Sequence, residues 1–337
     1  MSVVSLFPSA TEVAAALGVT PAAVSHQCDR PPAAADRPTL TGLVRDLEDD
    51  PETLDRDVAH DDTYYLDGDA LAAADPDAIL TQGVCAVCAL DAGLARRAVE
   101  RLDLDATVLD VHADDLADVL ANVERIGEAV GRPNAAAELR ADLETRIDAV
   151  AGAVPDGTVE DGIAGGGTVE DGIAGGGTVE DGIAGGGTDP GSRPRVAVLD
   201  WTDPIRHGGL WIPDLIRIAG GEPGLVAAGE RSRAVDPAEL RAFDPEVLVV
   251  GPCSADVDEA HGRARDLLER ESFDGTAAVR EGRVYAMDGT AYLNRHSHRV
   301  VDALEALAGL IHPDRFEADG SGSEDAKVRR VGRAATR

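Results

Sequence analysis

Short, continuous apolar runs recur along the chain at Val3–Phe7, Ala78–Thr81 and Thr107–Val111, and again at Arg195–Asp200, Glu246–Gly251 and Arg283–Asp288. Runs without polar alternation predict parallel strands covered on both faces. Between them the apolar positions shift to a helical period, at Thr11–Leu17, Leu210–Ala219, Asp236–Phe243, Ala264–Arg270 and Arg299–Leu310. Ser9, with Glu12 three residues on, is the expected N-cap of the first of these helices. Strands alternating with helices predict an α/β protein.

The pattern also divides the chain. From Asp114 to about Val154 the apolar residues keep a helical period, broken only at Gly131-Arg132-Pro133. This predicts one long helix or two in tandem, a rod between two lobes. Asp69–Leu80 resembles Ala238–Val249: in each, a helix stops at Asp-Pro, because proline disfavours helical geometry in the residue before it, and a buried strand follows. Two halves of similar build predict two Rossmann-like lobes, 1–113 and 193–316, joined by the connecting helix 114–154. Residues 158–187 are three copies of Thr-Val-Glu-Asp-Gly-Ile-Ala-Gly-Gly-Gly. With only Val and Ile to bury per copy, ordering costs of about 1–2 kcal/mol per residue win, so 155–192 is expected to be a flexible acidic insert. The polar stretch 317–337 is expected to be a disordered tail.

Composition adds an environment. The net charge is -32, and Lys327 is the one lysine. Such a surface repels phosphate backbones and anionic lipid, which argues against nucleic-acid and membrane-surface partners, and it suits very high salt, where screening removes self-repulsion. No run approaches the ~20 apolar residues of a membrane helix. Met1 leads straight into the first strand, without a basic region, a long apolar stretch or a nearby lipid-accepting cysteine, so the expected location is the cytoplasm, with an extracytoplasmic one the alternative for a chain trimmed at its N-terminus.

Candidate chemistry lies after the predicted strands, where open α/β sheets gather ligands. Cys28 closes a predicted strand Val24–Asp29; Cys85 and Cys88 have the spacing that lets two sulfurs share one metal; Cys253 follows another strand. Four thiols, with His26 nearby, would complete a zinc or iron–sulfur shell, or bind a corrinoid cobalt. A redox pair, or buried cysteines acting as small hydrophobes, fit the same residues. Both tryptophans fall in Asp200–Trp211, with Asp203 between them. Trp201, at a strand end, offers a flat apolar surface to a planar ligand, whereas Trp211 is expected to pack its helix on the sheet. After the last strand, Tyr292 and Asn294 are candidate hydrogen-bonding partners of a ligand, and His296 and His298 are expected to be loop residues. The segment Pro8–Glu12 opens a helix whose free N–H groups suit an anion as well as an ordinary cap. The chain has no phosphate-binding Gly…Gly-Lys-Ser/Thr loop, no Gly-x-Ser-x-Gly elbow and no His-Glu-x-x-His, and binding rather than catalysis is expected.

Four segments in order, Val3–Glu12 (VVSLFPSATE), Ser25–Pro32 (SHQCDRPP), Asp75–Gln82 (DPDAILTQ) and Gly282–Asp288 (GRVYAMD), resemble the Fe³⁺-siderophore/cobalamin periplasmic-binding-protein family, in particular its BtuF-like cobalamin-binding branch. The resemblance spans roughly 1–316 without the insert. It implies two α/β lobes joined by one long helix with limited hinge motion, cobalamin or a related corrinoid or metal chelate between them, and delivery to an ABC importer permease through acidic surface residues, Glu239 lying near that region. Trp201, Asp203, Tyr292 and Asn294 would line one wall of the cleft, and Ser9, His26 and Cys85 the other. The chain departs from the importer pattern in showing no export signal and in carrying Cys28, Cys85, Cys88 and Cys253, as some signal-less relatives do. A cytoplasmic metal or iron–sulfur protein built on those four cysteines is the alternative.

Overall fold

The apolar runs become parallel strands at the centre of two sheets. The computed structural model describes residues 1–47, 58–60, 63–82, 90, 92–154, 193–270, 273, 275–316 and 327–332. The first lobe runs β1 (Val3–Ser5), α1 (Pro8–Ala16), β2 (Ala23–Val24), α2 (Pro32–Ala35), β3 (Thr41–Leu43), α3 (Val44–Leu47), β4 (Val58–His60), β5 (Tyr64–Asp67), α4 (Gly68–Ala74), β6 (Ala78–Thr81), α5 (Ala92–Arg101) and β7 (Thr107–Asp110). Among the described residues its main sheet is parallel, in the order β2-β1-β6-β7, and β3, β5 and β4 form a small antiparallel sheet beside it. Strand order reverses at β1, so a crevice opens beyond its carboxyl end.

Helix α1 begins one residue earlier than its expected cap. Pro8 occupies the first helical turn, where its missing N–H costs nothing, Phe7 is the cap residue, and Ser9 lies buried inside the helix. The expected strand Val24–Asp29 is likewise only Ala23–Val24. The Ser25 hydroxyl accepts from the Gln27 N–H and the Ser25 carbonyl from the Cys28 N–H, and these local bonds turn the chain out of the sheet.

The connection is a helical hairpin, not a rod. α6 (Leu116–Ala129) and α7 (Pro133–Ala153) are separated by Gly131 at φ +70, a left-handed position that glycine adopts without strain, and Pro133 restarts the helix. The helices then fold back on each other. Arg140 pairs with Glu124, and a Cβ on Gly127 would sit 2.2 Å from that of Ala136. The far half of α7 reaches the second lobe.

That lobe runs β8 (Val196–Thr202), β9 (Ile205–His207), α8 (Ile212–Ile218), β10 (Arg233–Ala234), α9 (Pro237–Phe243), β11 (Val247–Val250), α10 (Val257–Leu268), α11 (Ala277–Arg280), β12 (Val284–Met287), a π turn Gly289–Leu293, α12 (Val300–Ile311) and β13 (Val328–Arg330). Its sheet order is β10-β9-β8-β11-β12-β13, with β8, β11 and β12 parallel and the edges antiparallel. The internal likeness of the halves is structural: α4 ends at Asp75 and α9 at Asp244, both left-handed, and a buried strand follows each. α10 starts well before its expected Ala264 because Asp256 caps it, accepting from the Glu259 N–H at 2.9 Å.

The expected disordered tail is corrected at its described part. Val328–Arg330 add an antiparallel strand to β12, where they satisfy backbone groups that an open edge would leave unpaired. The repeat insert and residues 317–326 lie outside the described residues. One buried apolar cluster runs from Val3 and Phe7 through Leu116, Val123 and Ile147 to Ile216, Val301 and Leu304. The lobes therefore share a core behind the cleft, which opposes large hinge motion. Among the described residues no helix is long and apolar enough to cross a membrane.

Candidate ligand cleft between the lobes

The carboxyl ends of β1, β6, β8, β11 and β12 deliver their loops to one space between the lobes. It has two compartments. One, about 540 Å³, is walled by Trp201, Trp211 and Leu293, with Asp200 and Arg206 at its polar edge. The other, about 410 Å³, is lined from the first lobe by Phe7, Ser9, His26 and Gln27 and from the second by Thr290 and Arg295. Gln82, Cys253, Asn294 and His296 line both and form the waist between them.

His296, expected as a loop residue, is at the centre. It is 6% exposed, its ring lies 5.4 Å from that of Phe7 in the first lobe, and Trp211 meets it edge-on at 5.5 Å. Burial pushes its pKa down to about 4, so the imidazole is neutral, and its Nε2 has no hydrogen-bond partner among the described residues. Trp211 packs as expected, and its indole N–H donates to the Leu293 carbonyl at 3.2 Å. Trp201 stands partly exposed with the Arg263 guanidinium 5.0 Å over its ring, and its indole N–H donates to the Asp203 carbonyl at 2.9 Å. Arg206 is braced by Ser232, donating from Nε to Oγ at 3.2 Å. Burial raises the pKa of Asp200, whose Oδ1 lacks a partner among the described residues.

The sequence candidates separate accordingly. Ser9, His26, Trp201, Asn294 and Cys253 meet at the cleft. His26 Nδ1 sits 2.9 Å from Thr41 Oγ1, which fixes the ring. The Asn294 amide donates to the carbonyls of Gly251 at 3.1 Å and Gly289 at 2.9 Å, so its NH₂ holds the loop in shape. Tyr292 is not a cleft residue; its ring packs on the shared core, 5.8 Å from the Arg299 guanidinium. The Asp203 side chain points to solvent, and its carbonyl is what serves Trp201.

The cysteines also part. Cys28 is buried beneath α1 with Val24 and Ala34, its sulfur 3.0 Å from Thr11 Oγ1, and burial raises its pKa, the setting of an inert core thiol. Its turn out of the sheet is what removes it from the cleft that Cys253 lines. Cys85 and Cys88 lie outside the described residues. Among the described residues no three His, Cys, Asp or Glu gather in a way that would hold a metal ion.

Behind the cleft, the lobes are pinned by charge. Glu12 on α1 accepts from Arg295 Nη1 and from the Ser297 hydroxyl, each at 2.6 Å, and Arg295 also reaches Asp29 at 2.6 Å. Sequence reasoning read Glu12 as part of a helix cap; its partners lie at the other end of the chain, where no local signal points to them.

Residues 3–164 match the family described as periplasmic binding protein. The fold is that of a periplasmic binding protein. A periplasmic heme-binding protein from Pseudomonas aeruginosa superposes with a TM-score of 0.62 at 18% identity, covering 93% of each chain. The heme-binding protein BhuT, in complex with two hemes, gives 0.61 at 20% identity, covering 93% of this chain and 98% of its own. The vitamin B12-binding protein BtuF of Vibrio cholerae gives 0.59 at 17%, covering 93% and 96%. No curated protein matches the chain. The periplasmic-binding-protein fold bears out the expected two-lobed α/β architecture, and the family consists of solute-binding proteins rather than enzymes. It overturns the expected cytoplasmic location, because the matched family and these neighbours are periplasmic.

Proposed function

We propose that this chain is the solute-binding component of an ABC importer and that it takes a flat metal–macrocycle chelate of the heme or corrinoid kind, cobalamin foremost, into the interlobe cleft. The observation that carries this reading is the tryptophan-walled compartment at the strand ends. Trp201, partly exposed, supplies a broad apolar face and the buried Trp211 backs the same wall, while Asp200 and Arg206 supply polar groups for the periphery of a ring. The neighbours named for heme and vitamin B12 support the same ligand class. The shared core behind the cleft supports delivery with little lobe movement, the two lobes presenting a nearly fixed surface to a permease.

The test is titration of the purified chain, in molar salt, with hydroxocobalamin and separately with hemin, followed by visible absorption and calorimetry. Stoichiometric binding of one of them, weakened about tenfold or more by Trp201→Ala, is the expected result. Absence of saturable binding to either chelate sinks the proposal. Preference for hemin would move the ligand to heme within the same class.

A further inference from the structure

A third cavity, about 440 Å³, opens at the lobe junction and shares no lining residue with the cleft. Ala15 and Ala16 of α1 form one side, Arg30 closes it from the first lobe, and His298 and Arg299 face it from the second. Its chemistry is cationic in a chain whose net charge is -32.

The local charges show why. Glu12 also borders the cavity, but each of its oxygens already accepts a hydrogen bond at 2.6 Å, from Arg295 and Ser297. Asp29 is committed to Arg295 at 2.6 Å and stands 4.0 Å from Arg30. Asp302, the other carboxylate near Arg299, is 3.9 Å from its Nε and is held by Arg146 at 2.6 Å. Arg299 Nη1 comes only within 3.6 Å of Glu12 and makes no hydrogen bond, though it is shielded from solvent. His298 Nδ1 is in the same condition, and burial lowers the pKa of that ring, leaving it neutral. His298 and Arg299 thus each carry a nitrogen that makes no hydrogen bond among the described residues, and both residues line a cavity that Arg30 also lines. An oxyanion in this cavity would offer acceptor oxygens to the guanidinium groups of Arg30 and Arg299.

We propose that this cavity binds a phosphate-type oxyanion, with the Arg30 and Arg299 guanidinium groups as its principal partners and His298 as a third. Guanidinium forks match the spacing of phosphate oxygens, and the volume leaves room for a substituent on the phosphate. Because Arg30 belongs to one lobe and Arg299 to the other, the bound anion bridges the junction.

The experiment uses the full chain with inorganic phosphate at constant ionic strength, NaCl making up the difference, read by calorimetry and thermal melting. Saturable heat and a saturable rise in melting temperature are expected with phosphate and not with NaCl. Arg30→Gln removes a side chain whose one charge contact among the described residues is the 4.0 Å approach to Asp29, so folding is retained, and phosphate affinity falls about tenfold. Ala16→Glu, at an exposed position of α1, places a carboxylate at the rim and abolishes binding. Phosphate acting no differently from matched NaCl overturns the proposal, as does undiminished binding by both variants.

Discussion

Glu12 of the first lobe and Arg295 of the second form a buried ion pair at 2.6 Å, with side chains only 2% and 10% exposed. Neither charge has water to fall back on, and Ser297 and Asp29 complete their hydrogen bonding. Removing one member strands the other. Glu12→Gln is expected to cost about 3–5 kcal/mol, the range for breaking a buried pair, measured as a lowered denaturant midpoint. Replacing both residues with methionine is expected to cost less than the single change, because no lone charge remains.

Acid should destabilise the fold, with one carboxylate opposing the trend. His207 and His296 have pKa values lowered from 6.5 to about 4, so between those values the unfolded chain binds more protons and stability falls as pH falls. His298 and His312, also lowered, act in the same sense. Asp214 is raised from 3.8 to about 6 by burial, so between pH 4 and 6 the folded chain holds its proton and gains stability as pH falls; Asp200, also raised, adds to this. The histidines outnumber the carboxylates, and the melting temperature should drop from pH 6.5 to 4. Asp214→Asn removes an opposing contribution and should make that drop steeper.

A methyl group at Gly209 would sit 2.1 Å from the Glu230 carbonyl oxygen and 2.5 Å from the Ser232 nitrogen, both backbone atoms that cannot rotate away. Gly209→Ala should therefore displace the segment that braces Arg206 at the cleft. The expected outcome is a loss of about 1–3 kcal/mol in stability, together with weaker chelate binding, seen in melting curves and the same titrations.

Net charge predicts a salt dependence. At 0.1 M salt the Debye length is about 10 Å and at 1 M about 3 Å, so dilution exposes each surface carboxylate to more like-charged neighbours. The melting temperature should rise between about 0.1 M and 1 M KCl. An unchanged value would show that the ion pairs formed by the arginines already offset the repulsion.

Local signals carried far in the sequence, and long-range ones did not. The runs at Ala78–Thr81, Val247–Val250 and Val284–Met287 are strands because continuous apolar residues leave them few alternatives. The Asp-Pro pairs at 75–76 and 244–245 mark helix ends, since proline restricts the residue before it and aspartate tolerates the left-handed region. Cys28 misled because a Ser-initiated turn competes with strand pairing over three residues. The hairpin of α6 and α7 depended on Gly131 acting as a reversal, which helical periodicity on either side does not report. His296 and Glu12 owe their roles to Phe7 and Arg295, partners across the lobe boundary that no window of sequence contains.

The placement of the two tryptophans has an optical consequence. The chain holds only Trp201 and Trp211, and both line the same compartment of the cleft. Its tryptophan emission therefore arises wholly at the proposed binding site, with no background from elsewhere in the fold. A chelate absorbing in the near ultraviolet would quench both indoles together, so the unlabelled protein carries its own occupancy gauge.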